Sequence, residues 1–186
     1  LVHCVHTDEK EDNIIKENNC FVVINPQSNM NNGVGFPDWK EKLSRGLKIC
    51  LGNDGFGFNL FTDSRFLILG IHNDKKDPKM ASPLDLQKTC FGNNYELASN
   101  IFNIKMGKIK EGYVADFALY DYKPPTQMDN GNFFGHLFFG IGDNPKVTDV
   151  FVGGKPVMLS GRNIFIDEVR LLEECRRYSN ELWKRL

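Results

Sequence analysis

Three short apolar runs in the first third of the chain each finish in polar residues. Leu1-Val2 leads into His3, residues 20–24 lead into Asn25-Pro26-Gln27-Ser28-Asn29, and residues 47–51 lead into Gly52-Asn53-Asp54-Gly55. Brief apolar stretches bounded by turn formers read as buried strands. Between the first two, Asp8 and Glu11 stand at capping-box spacing ahead of Ile14 and Ile15, which predicts a helix. Between the second and third, Pro37 occupies a place that a first helical turn tolerates. Trp39 and Leu43, four apart, share a face, and Gly46 supplies the stop. Strands alternating with helices predict parallel pairing through right-handed crossovers. Helical patterns continue over 64–73, 83–91 and 95–102, interrupted by a Lys-rich solvated loop at 75–79.

From about residue 105 the texture changes to extended segments punctuated by glycine, at 114–120, 147–152 and 155–159, with Gly153-Gly154 as a two-residue hairpin turn. Asp167 then caps a last helix. In it Leu172, Cys175, Ser179, Leu182 and Leu186 form a single apolar stripe, expected to pack back on the body. The reading is three stretches: 1–104 of α/β pattern, 105–166 of β pattern, and a terminal helix at 167–186. The aromatic cluster of Phe133, Phe134, Phe138 and Phe139 reads as core support, and His136 within it as structural.

Composition narrows the function classes. The 23 Lys and Arg nearly balance the 24 Asp and Glu, so no single-sign field attracts nucleic acid or an anionic membrane. A small molecule is the expected partner. Five scattered cysteines without a CxxC pair argue against a disulfide framework and a structural zinc knot, and fit a cytoplasmic setting. No apolar run approaches the roughly 20 residues that span a bilayer.

Taken singly, the polar strand ends are ordinary. His3 reads as a hydrogen-bonded core histidine, Asp54 as a turn residue, Asn25-Pro26 as a turn former and Ser28-Asn29 as a cap. Together they terminate consecutive parallel strands, whose carboxyl ends share one face of a sheet. That is the layout by which (β/α)-barrel enzymes assemble a site. The chain begins inside the first of these patterns, and so reads as the back part of an enzyme.

These residues carry a resemblance. His3-Cys4-Val5-His6, Asn25-Pro26-Gln27-Ser28-Asn29-Met30, Gly46 and Leu51-Gly52-Asn53-Asp54-Gly55 resemble strands six, seven and eight of the amidohydrolase superfamily. The branch is that of chlorohydrolases and purine and pterin deaminases, and most closely the SsnA-like aminohydrolases. Residues 107–112, Ala115-Asp116 and 150–157 resemble the small β-sandwich that follows the barrel there. The resemblance implies an α/β fold class: the last three strands and helices of a (β/α)8 TIM-type barrel, then part of a β-sandwich and a C-terminal helix. It implies one divalent metal, zinc, iron or manganese, with Asp54 as metal ligand and catalytic carboxylate. His3 would be a catalytic and substrate-binding imidazole, and Asn25 a substrate contact. Ile24 stands where many relatives have His, and Asn53 where Thr is commoner.

The chemistry explains those residue types. Zinc lowers the pKa of bound water from about 15.7 to about 7. A carboxylate then moves the water's proton to a leaving amine while an imidazole stabilises charge. One Asp and one His are too few ligands to hold a metal. The expectation is therefore the C-terminal part of a metal-dependent hydrolase of non-peptide carbon–nitrogen bonds, acting on a cyclic nitrogenous substrate, with this chain alone inactive. The alternatives are a non-catalytic fragment and a small-ligand-binding remnant of the fold. A barrel lacking its first five strands leaves parallel edges open, which favours a homodimer.

Overall fold

The computed structural model describes residues 1–185; Leu186, at the end of the predicted stripe, lies outside the described residues. Helix α1 (Glu9–Glu17) begins at Asp8, and both arms of the capping box form. The Asp8 carboxylate accepts from Glu11 N at 2.9 Å, and the Glu11 carboxylate accepts from Asp8 N at 2.9 Å. Strand β1 (Phe21–Ile24) and helices α2 (Pro26–Asn31) and α3 (Trp39–Ser44) lead to strand β2 (Lys48–Leu51). The strands pair in parallel, Phe21 opposite Lys48 through Ile24 opposite Leu51. Two differences from the sequence pattern stand out. The first expected strand is a single parallel bridge, Val2 to Val23, because the chain turns at once: Cys4 N donates back to Val2 O at 2.9 Å. And α3 is capped by Asp38, so Pro37 precedes the helix rather than filling its first turn.

Helix α4 (Leu60–Lys75) starts at Asn59, whose side chain accepts from Phe61 N, and ends at Lys76 in the left-handed region. The two helices expected next run together: α5 (Pro83–Gln87), a π-helical turn (Lys88–Asn93) and α6 (Asn94–Phe102) follow without a gap. That continuity places two amides on the free edge of β2. Asn94 accepts from Leu51 N at 2.9 Å and donates to Leu51 O at 3.0 Å, and Asn93 donates to Ile49 O at 2.7 Å. Backbone groups that a further strand would pair are satisfied by side chains.

The core gathers Val22 and Ile24 of β1, Ile49 and Leu51 of β2, Trp39 and Leu43 of α3, Leu67, Ile68 and Ile71 of α4, and Leu86 of α5. Each such side chain contributes about 1.5–3 kcal/mol on burial. Trp39 is fully buried and still satisfies its indole N–H, which donates to the buried Thr89 Oγ1 at 3.0 Å. The aromatic cluster joins this core through a one-turn helix α7 (Phe133–Gly135) and a second π-helical turn (His136–Ile141). Phe138 is buried and meets Phe61 and Phe91 edge-on at 6.3 and 6.0 Å.

The chain divides into two compact units, residues Leu1–Tyr113 with Lys123–Pro145, and Val114–Tyr122 with the chain from Lys146 onward. The second holds an antiparallel sheet in the order β3 (Phe117–Tyr120), β4 (Val147–Val152), β5 (Lys155–Leu159), β6 (Arg162–Asn163). Gly153 and Gly154, at φ +56° and +76°, make the tight β4–β5 turn that only such residues adopt readily. Phe117 stacks on Phe151 across β3 and β4, with centroids 4.6 Å apart. Helix α8 (Glu168–Trp183) forms at its Asp167 cap as the pattern predicts, but its stripe is not buried. Leu172 and Leu182 keep more than half their surface, and Cys175 is exposed. The cap and the local Arg170–Glu174 ion pair support the helix from within, and the described residues of its stripe stay open to solvent. Among the described residues no helix is long and apolar enough to cross a membrane, and all five cysteines are free thiols.

Candidate active site

The parallel arrangement fixes where the polar ends fall. Val2, β1 and β2 lie side by side and point the same way, so the residues that follow each emerge at one end of the sheet. There His3 Nε2 stands 3.8 Å from Asp54 Oδ2. Both line a cleft of about 320 Å³ together with His6, Ser28, Asn29 and Asn32. The two residues singled out from the sequence are thus brought together.

Each is held by a neighbour that the pattern treated as a simple cap. Ser28 donates its hydroxyl to Asp54 Oδ2 at 2.7 Å. His3 Nδ1 lies 2.7 Å from Asn29 Oδ1. An amide oxygen only accepts, so Nδ1 is the donor in this pairing and Nε2 is the nitrogen that faces Asp54. Ser28 and Asn29 are both buried on α2, and the signal for them was in the sequence, in the same five-residue run after β1. The direction of their side chains follows from a helix starting at Pro26, where the pattern shows only a turn.

The backbone at the cleft is strained. His3, Cys4 and Asp54 have φ of +65°, +47° and +54°, in the left-handed region that costs a non-glycine residue roughly 1–2 kcal/mol. His3 is the centre of a three-residue turn closed by Cys4 N to Val2 O at 2.9 Å, the rarer and strained hand of that turn. The Asp54 turn is tied by Phe56 N donating to Asn53 O at 3.2 Å and by the Asn53 amide donating to Gly57 O. Burial pushes the Cys4 thiol up, outweighing the nearby Lys42, so Cys4, next to His3 in the chain, is an uncharged thiol.

Asn25, expected at the substrate, has its side chain beside Gly52. It is buried and does not line the cleft. Its amide oxygen packs on Gly52, where a Cβ would come within 2.5 Å of it and within 2.7 Å of Val23 Cγ1. The Leu51-Gly52-Asn53-Asp54 turn passes this close to the end of β1 only because residue 52 has no side chain.

Zinc sites take about four ligands. The cleft offers His3 and Asp54, and among the described residues no group of three or more His, Cys, Asp or Glu is gathered that could hold a metal ion.

Known proteins resemble the chain along almost its whole length. It is 34% identical over 186 residues to a 5'-deoxyadenosine deaminase of Methanococcus vannielii, covering 98% of this chain and 43% of that protein. It is 30% identical over 183 residues to a 5-methylthioadenosine/S-adenosylhomocysteine deaminase of Clostridium tetani, covering 97% and 42%. The fold matches an adenosine deaminase from Xanthomonas campestris with bound zinc at a TM-score of 0.81 and 21% identity, covering 98% of this chain and 42% of that one. The chain therefore spans less than half the length of these relatives. The amidohydrolase family is matched over residues 1–157, and with this α/β unit and its cleft in view, the chain belongs to the amidohydrolase family.

Proposed function

We propose that the whole protein is a metal-dependent hydrolase of non-peptide carbon–nitrogen bonds, an aminohydrolase or deaminase of a cyclic nitrogenous substrate, to which this chain contributes the last three strands of the barrel. The observation that carries the proposal is the approach of His3 and Asp54 to 3.8 Å in one cleft at the shared end of parallel segments. Asp54, steadied by Ser28, accepts a proton and returns it to the leaving amine. His3, fixed through Nδ1, stabilises charge at the reacting atom through Nε2. Asp54 would be the residue of this chain to help hold a divalent metal, zinc on the example of the Xanthomonas protein, and such a metal would supply an activated water. Asn25 acts by seating the β1 and β2 ends rather than by touching substrate.

The resemblance to SsnA-like aminohydrolases rests on the order and spacing of the motifs at His3, Asn25 and Asp54. The named relatives make adenosine-type nucleosides the first substrates to try. Five free thiols support a cytoplasmic setting.

The test is expression of the complete reading frame with zinc, followed by ammonia release from 5'-deoxyadenosine and 5'-methylthioadenosine. The expected result is turnover that falls at least about 10²-fold in Asp54→Asn with folding intact. Full turnover in that variant removes Asp54 from the mechanism. A second reading applies to the chain by itself: with only two of about four ligands it is a non-catalytic piece that binds small molecules weakly. Turnover by the isolated chain overturns that reading.

A further inference from the structure

Behind the cleft, a buried ion pair ties together the two helices that flank the His3 segment. Lys42 of α3 and Asp12 of α1 retain only 5% and 4% side-chain exposure. Lys42 Nζ donates to Asp12 Oδ1 and Oδ2 at 2.7 and 2.9 Å, and to Thr7 Oγ1 at 2.5 Å. Thr7 presents its single hydroxyl proton to Asp12 Oδ1 at 2.8 Å, with the Cys4 carbonyl 3.3 Å from the same oxygen. Arg45 stands off at 3.7 Å from Asp12 and has its own partner in Glu41. A buried pair of this kind is poor evidence for stability, because desolvation offsets most of the attraction. Its placement here points to a different use.

We propose that Lys42 and Asp12, acting through Thr7, are positioning residues for His3. The segment from His3 to Thr7 has one end in the strained turn of His3 and Cys4 and the other at the start of α1. Left-handed backbone at two successive non-glycine residues relaxes unless both ends are fixed. The upstream end is fixed by His3 N donating to Val23 O at 2.8 Å. The downstream end is fixed by the charged clamp on Thr7, whose hydroxyl oxygen accepts from Lys42 and whose proton goes to Asp12. Sheet on one side and clamp on the other hold the imidazole where Nδ1 meets Asn29 and Nε2 faces Asp54. Lys42 and Asp12 touch neither group; they act on the backbone that carries the ring.

The inference rests on the reading of His3 as a group of the site, and its test reports on the ring without requiring turnover. The full chain, labelled with 15N-histidine, carries four histidines, and His72 serves as an internal control because its Nε2 bonds Ala81 O at 3.0 Å, away from the clamp. In Lys42→Met and in Thr7→Val, the His3 Nδ1 proton is expected to exchange with water about tenfold faster, as for loss of one hydrogen bond of local stability. The His3 ring nitrogens should move toward tautomer averaging while the His72 signals stay in place, and Lys42→Arg should restore much of the parent pattern. Thr7 is partly exposed, so Thr7→Val keeps the test decisive if Lys42→Met does not fold. Unchanged His3 signals in folded Thr7→Val overturn the proposal. So do equal changes at His3 and His72, which would mark general loosening. Inactivity of the complete enzyme together with a clamp-sensitive His3 would sink the proposed function alone.

Discussion

The two units of this chain are built on different principles. Among the described residues every buried side chain, apolar or polar, lies in the first unit, the one containing His3 and Asp54, and the second has none. The second is held by ladder hydrogen bonds, the Gly153-Gly154 turn and cross-strand pairs such as Phe117 on Phe151. A ladder defines a shape, but only a packed core over-determines one. The strained backbone of His3, Cys4 and Asp54 lies in the packed unit, while in the second unit Ser160, at φ +50°, sits in a tight turn.

The two tryptophans put the comparison to its largest test. Trp39 is fully buried, whereas Trp183 on α8 is 67% exposed. Trp39→Ala is expected to cost about 3–5 kcal/mol in urea unfolding, through the cavity and the orphaned Thr89 hydroxyl. Trp183→Ala should stay within about 0.5 kcal/mol, as for surface changes generally. Similar losses at the two positions would mean that α8 is buried in solution and would abolish the contrast.

What the sequence made legible divides along the same line. Capping boxes and hairpin glycines are local rules, so α1 at Asp8, the Asp167 cap of α8 and the β4–β5 turn follow directly from the residues. Strands β1, β2, β4 and β5 fall within a residue of their apolar runs. The losses are non-local. The run before His3 is a single bridge, since pairing ends when the His3 turn reverses the chain. The α5–α6 continuity depends on Asn93 and Asn94 finding the free edge of β2. At the site, His3 and Asp54 were legible as strand ends. Their partners Asn29 and Ser28 were not, because a side chain's direction depends on the helix that carries it. The contact of Asn25 with Gly52 was not legible either, because it depends on a glycine 27 positions later.

Two glycines sharpen the comparison at intermediate cost. Gly52 is required by space and Gly153 by φ: a Cβ at 52 meets Asn25 and Val23, whereas one at 153 meets nothing within 4 Å. Gly52→Ala is expected to cost about 1–3 kcal/mol by overpacking and to shift the Asp54 turn. Gly153→Ala should cost about 1–2 kcal/mol from its left-handed backbone alone. Asn distinguishes the causes. It tolerates left-handed backbone, so Gly153→Asn should regain most of the loss while Gly52→Asn should be worse than Gly52→Ala. Urea unfolding of the four variants checks the order.

The smallest effects concern two carboxylates whose ionisation should act with opposite sign. Asp63 of α4 is fully buried with no hydrogen-bond partner on either oxygen, and burial pushes its carboxyl up, the nearby Gln27 opposing too weakly. Asp149 of β4 is held down, first by the Thr148 hydroxyl and then by the Ser160 N–H, which it accepts at 3.1 Å. A raised folded value means that stability is full below the ordinary carboxylate value of about 3.9 and declines as pH rises through the folded value. A depressed one means that stability is full above about 3.9 and is lost as pH falls through the folded value. Each Asn substitution removes one titration. Relative to the parent, Asp63→Asn should therefore look more favourable at pH 7 than at pH 3, and Asp149→Asn less favourable at pH 7 than at a pH below its depressed value. Amide exchange, read separately over β1–β2 and β4–β5, assigns each change to its own unit. If Asp63→Asn showed the same pH trend as Asp149→Asn, the buried carboxylate would have a partner, and the first unit's core would be less dry than its packing indicates.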